Sequence, residues 1–113
     1  MSGSEQAFED FLQQQRLVYQ RALPEKMAQL DALWRAGASG ADAASLQAMA
    51  RLAHSLAGTA GTLGFGPIGL AAGELEGLLA PATEAGLTPL RHDHIATAMA
   101  GLQASVRACM ERP

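Results

Sequence analysis

The chain has 113 residues, a formal net charge of −3, and 49% apolar residues of which few are aromatic. That length fits one domain able to bury a core, while the scattered basic residues leave no electrostatic footprint for nucleic acid. A lone Cys109 excludes an internal disulfide and suits a reducing compartment, and no uninterrupted apolar run reaches the length that crosses a bilayer.

The N-terminal stretch MSGSEQAFEDF lacks the basic and apolar regions of a signal peptide. Its first four residues are compatible with a cloning remnant and carry no structural weight. Ala and Leu dominate the apolar set and β-branched residues are few, a balance that favours helix over sheet. Five helical segments follow. The first, capped by Ser4, runs to about Ala22 with Phe8, Phe11, Leu12, Val18 and Tyr19 as its apolar positions. Pro24 suits the first turn of a second, because its missing N–H has no helical partner there. That segment carries Met27, Leu30, Leu33 and Trp34 and stops in AGASGAD. The two segments can equally form one long helix bent at Pro24.

Asp42 is placed to cap the third segment, which holds Leu46, Met49, Leu52, Ala53, Leu56, Ala60 and Leu63. After GFG, Pro67 opens a fourth, with Ile68, Ala71, Ala72, Leu75, Leu78 and Leu79 on one side. Pro81 and EAGLTP read as a loop, and a fifth helix spans about Leu90 to Met110. Together these predict a single all-α domain over residues 1–113, an antiparallel four-helix bundle with an N-terminal lead-in helix. A bundle alone says nothing of function.

The stretch LAHSLAGTAGTLGF sets Gly58, Gly61 and Gly64 beside the histidine of the third segment. Each glycine in a helix interior costs about 1 kcal/mol relative to alanine. With His54 at 0° and 100° per residue, Leu56, Leu63, Met49, Ala60 and Ala53 fall roughly between 180° and 260°. His54 therefore projects outward, sharing its side with Gln47, Arg51, Gly58 and Gly61, and with Ala50 and Ala57 adjacent. A rigid helix carries the imidazole, and residues with little side chain lower the surface around it, so another protein's active site has access. The competing reading is that the glycines serve close helix packing and His54 is an ordinary surface histidine.

AHSLAGTAGTLGF followed by GELEGLL resembles the signature of histidine-phosphotransfer (HPt) domains, and is similar also to the phosphoacceptor domain of chemotaxis histidine kinases. The family pattern, H-x-L-K-G-x-x-x-x-x-G and then a helix with Leu-Glu, is met by His54, Leu56, Gly58, Gly64, Leu75 and Glu76. The resemblance covers essentially the whole chain. It implies a histidine-containing phosphocarrier of a two-component phosphorelay, without kinase activity of its own. His54 would take a phosphoryl group from a receiver-domain aspartate or a kinase and pass it to a receiver aspartate. It implies Nε2 of His54 as the nucleophile, with Glu76 accepting a hydrogen bond from the other ring nitrogen, fixing the tautomer and supporting the charge that develops. That role suits imidazole, which works as a nucleophile near neutral pH.

One position departs from the pattern. Ala57 stands where the family usually has lysine, which puts the hold on the phosphoryl group in question. Arg51, one turn earlier on the same side, is the candidate phosphate contact. The resemblance implies no cofactor of the domain's own, because the partner receiver brings Mg²⁺ and a lysine, and transfer depends mainly on positioning and charge stabilisation. Partner docking is expected on Ala50, Ala57, Gly58 and Gly61 with nearby residues of the fourth segment. The partners expected are a response-regulator receiver domain, a histidine kinase or both, with no nucleic acid and no membrane. A cytoplasmic monomer is expected.

HDH, His92 to His94, lacks the spacing that brings helical ligands to one face, so no metal site is expected; Asp93 there would suit a positive helix end. Phe65 is expected to plug the joint between third and fourth segments, with Trp34 and the methionines in the core. Two rival functions remain: an HPt-like module that docks receivers without being phosphorylated, hinted at by Ala57, and a helical assembly domain whose glycine face is packing surface.

Overall fold

Alanine-rich segments with leucines every three or four residues have one stable solution, helices that bury a common stripe. The computed structural model describes residues 3–39 and 42–111, which form four helices and no strand. They are α1 (Gly3–Ala38), α2 (Ala43–Leu63), α3 (Gly66–Ala85) and α4 (Pro89–Glu111). The helices pack in a ring, α1 on α2, α2 on α3, α3 on α4 and α4 on α1. The core contains Leu23 and Leu30 of α1, Met49, Ala53, Leu56 and Ala60 of α2, Ile68, Ala72, Leu75 and Leu79 of α3, and Ile95, Met99 and Leu102 of α4. Among the described residues, no helix is long and apolar enough to cross a membrane.

The expected lead-in helix is not separate. α1 is continuous through Pro24, whose ring lies on the exposed side. Proline removes one backbone bond there and costs about 3 kcal/mol in a helix interior. Tyr19 and Leu23 before it and Leu30 after it are buried on one stripe, and burying each apolar side chain returns about 2 kcal/mol. Ser4 lies within α1 rather than capping it. Met1 and Ser2, half of the suspected remnant, and Gly40 and Ala41 of the AGASGAD stop lie outside the described residues.

Pro81 is likewise inside a helix, since α3 continues to Ala85 and ends at Gly86; the buried Ala82 keeps that last turn on the core. α4 begins at Pro89, with the Arg91 N–H donating to Thr88 Oγ1 at 3.2 Å, so Asp93 sits past the first turn instead of at the helix end. Asp42 caps α2 as expected, accepting from the Ala44 and Ser45 N–H groups at 3.1 and 3.3 Å and from Ser45 Oγ at 2.6 Å. These hydrogen bonds, the Ser45 hydroxyl first, hold its carboxyl below the ordinary value of 3.8.

The apolar expectations for α1 divide at Tyr19. Tyr19 is buried, yet Phe8, Phe11 and Val18 are exposed: Phe8 and Phe11 precede the stretch where Arg16 meets Leu63 of α2, and Val18 lines an open groove against α2. Met49 and Met99 are core, Met27 and Trp34 are partly buried, and Met110 is exposed. Phe65 does occupy the α2–α3 joint, its ring 5.5 Å from that of Tyr19.

Candidate functional site

α2 ends at Gly64, the one position in this turn with a left-handed backbone (φ 87°), which glycine adopts without the Cβ penalty. The Phe65 N–H donates to Ala60 O at 2.8 Å and the Gly64 N–H to Gly61 O at 3.4 Å, closing the helix. Arg16 of α1 adds a bond from Nε to Leu63 O at 2.8 Å, a cation at the negative end of the helix. Pro67 then starts α3 in its first turn. The reversal fixes α3 antiparallel to α2 and sets their register.

Beyond the turn the two backbones close up at Gly69. A Cβ there would lie 3.3 Å from Gly61 N and 3.4 Å from Ala57 O. His54 is two helical turns before Gly61 and Glu76 two turns after Gly69, so in antiparallel helices both reach the same level, about 10 Å along the axis. His54 Nδ1 is 2.7 Å from Glu76 Oε2. The imidazole is 77% exposed and the carboxylate 36%.

With Nδ1–H donating to Glu76, the proton is held on that nitrogen and the Nε2 lone pair is left outward and free. The paired carboxylate also balances positive charge that builds on the ring when Nε2 forms a bond. Around this pair, Gly58 and Gly61 face open space, with no atom within 4 Å of a Cβ placed on either. The packing glycine between α2 and α3 is Gly69. Arg51 is exposed on the same side and makes no hydrogen bond or ion pair among the described residues, while Ala50 and Ala57 are half-buried.

The HDH residues stand elsewhere. The His92 ring lies 4.9 Å from the ring of Trp34, its Nδ1 is 3.6 Å from Asp93 Oδ1, and His94 lines an open groove between α3 and α4. No group of three or more His, Cys, Asp or Glu side chains among the described residues is placed to hold a metal. Reasoning from sequence missed Gly69, Arg16 and the Tyr19 hydroxyl, which donates to Leu56 O at 3.2 Å. Gly69 was findable, since it precedes Glu76 by the same two turns that separate His54 from Gly61.

A four-helix bundle that mounts an exposed, carboxylate-paired histidine on a helix face lowered by glycine defines a class of protein that presents an imidazole to a partner. The family described as Hpt domain matches residues 6–112, and the chain belongs to that family. Hpt domains are histidine-phosphotransfer modules of phosphorelays, phosphocarriers rather than kinases. No curated protein matches the chain, and no solved structure does.

Proposed function

We propose that His54 is the phosphoryl acceptor and that the domain relays phosphate between aspartates of receiver domains, or from a histidine kinase to a receiver. The observation that carries this reading is the 2.7 Å contact of His54 Nδ1 with Glu76 on an otherwise open imidazole. In the step, the Nε2 lone pair attacks phosphorus, an N–P bond forms, and the P–O bond to the donor carboxylate breaks with the electron pair leaving on that carboxylate. Nδ1 keeps its proton throughout, and Glu76 stabilises the charged ring. Transfer onward to a receiver aspartate is the reverse sequence.

The partner's acidic pocket, with its Mg²⁺ and lysine, supplies most of the charge stabilisation. Arg51, exposed one turn before His54, is the residue of this chain proposed to contact the transferring oxygens. The docking face comprises Ala50, Arg51, Ala57, Gly58 and Gly61. Ala57, where family members usually carry lysine, favours a second reading in which receivers dock and no phosphate is accepted.

The test is transfer from receivers loaded with radiolabelled phosphate to wild type, His54→Gln, Glu76→Ala and Arg51→Ala. Acid-labile label is expected on wild type and absent from His54→Gln. Loss of one charge-assisted hydrogen bond at an exposed site should slow Glu76→Ala about tenfold, and Arg51→Ala should shorten the lifetime of the label. Receiver binding without label on wild type would establish the docking reading.

A further inference from the structure

The 36 residues of α1 span about 54 Å, the whole 55 Å length of the molecule, whereas the 20 to 23 residues of the other helices cover only about 30–35 Å. The start of α1, before Arg16 meets α2, is thus an arm. From Gly3 to Val18 no residue is buried, and Phe8, Phe11 and Val18 are 61%, 56% and 58% exposed. Ser4, Phe8, Phe11, Gln15, Val18 and Ala22 recur in the alternating four-and-three spacing of a heptad seam. The seam is symmetric about Gln13: Ser4 mirrors Ala22, Phe8 mirrors Val18, and Phe11 mirrors Gln15. A seam of that kind matches itself when a second copy is laid antiparallel, as a two-fold axis requires.

We infer that α1 is a homodimerisation arm, pairing antiparallel with the same arm of a second copy about an axis at Gln13. Charge fits that direction. Glu5, Glu9 and Asp10 make the start of the arm acidic while Arg16 and Arg21 make its base basic, so antiparallel arms set unlike ends side by side and parallel arms would set like ends together.

The seam runs into a groove of about 320 Å³ between α1 and α2, lined by Gln15, Val18, Ala22, Thr59 and Leu63. In the dimer, Phe8 of the second copy comes to the level of Val18 and seats its ring there. The two bundles then lie on the same flank of the arm pair, one beyond each end, without competing for space. His54 projects from α2 about 100° round the axis from Ser55, which also lines that groove, so both imidazoles stay open. Phe8, Phe11 and Val18 offer on the order of 300 Å² of apolar surface per copy, against about 800 Å² per partner in a standard interface. The dimer is therefore weak, with a dissociation constant on the order of 100 μM.

Sedimentation velocity of the full chain between 10 and 500 μM tests this. Wild type should shift from monomer to dimer across that range, and Phe8→Glu should stay monomeric. The double variant Phe8→Glu/Val18→Lys should dimerise again, because the two positions face each other only in the antiparallel register. Phe8→Glu should also accept phosphate from a receiver at the wild-type rate per chain, which separates this inference from the role of His54. Monomeric wild type at 500 μM would overturn it. So would a dimer that survives Phe8→Glu, a dimer lost instead in Leu70→Glu of the α3–α4 groove, or a double variant that stays monomeric.

Discussion

Replacing Gly58 and Gly61 with alanine separates the two explanations of the glycine-rich face by the sign of the effect. A Cβ at either position meets no atom within 4 Å, so no steric term opposes the substitution. Removing the conformational freedom of glycine in an exposed helix interior is worth about 0.8–1 kcal/mol. Each variant should therefore be more stable than wild type by that amount, with a melting temperature about 4 °C higher for a chain of this size. Urea unfolding followed by circular dichroism at 25 °C reads the difference directly, and the slope with urea should not change. Phosphotransfer should stay within a few-fold, since a methyl group barely raises the surface. Gly58→Glu keeps the fold but sets a carboxylate beside the imidazole, and transfer should fall at least tenfold. If Gly58→Ala or Gly61→Ala destabilised the protein, those glycines would be packing residues and the access argument would fail. Undiminished transfer in Gly58→Glu would refute it equally.

Gly37→Ala should do the opposite. Its Cβ would sit 2.6 Å from Leu46 Cδ2 and 2.9 Å from Leu46 Cγ, inside a buried contact, and the same urea titration should show a loss of about 1–2 kcal/mol after the helix-propensity gain is subtracted. Asp42→Ala should lower stability at neutral pH. Because its carboxyl is held below 3.8, the contribution is present above that pH and fades as pH falls further, so wild-type and variant unfolding midpoints should converge in acid. Burial, with a smaller effect from Cys109, pushes the Tyr19 phenol up to about 12. Its contribution is complete below pH 10, the ordinary phenol value, and lost as pH rises toward 12. Wild type should therefore lose stability across that window faster than Tyr19→Phe.

The helices were legible because alanine and leucine at three- and four-residue spacing leave no other way to bury a stripe. The interior Pro81 was not. Pro24 left two readings open, two segments or one long helix, and the long helix is the one observed. Pro81 reads as a loop to any local rule, and only the buried Ala82 beyond it shows why the helix continues. Nor does periodicity reveal what covers an apolar stripe. Phe8 and Phe11 repeat as regularly as Leu23 and Leu30, but they lie beyond the level at which α2 ends against Arg16. His54 and Glu76 were readable through family resemblance and the outward angle of the histidine. Their contact depends on the register of α2 against α3, which the Gly64 turn and the close approach at Gly69 determine through space. Trp34 packs against the core while staying partly buried, and the ring it meets, that of His92, lies on a helix far away in sequence.

The most direct test of the central claim is an imidazole nitrogen NMR spectrum of protein labelled with ¹⁵N-histidine, recorded while a phosphorylated receiver transfers to it. The expected result is phosphorus bonded to Nε2 of His54 with Nδ1 still protonated toward Glu76. Phosphate on Nδ1 of His54, on His92 or His94, or on no histidine while the receiver binds would contradict the account.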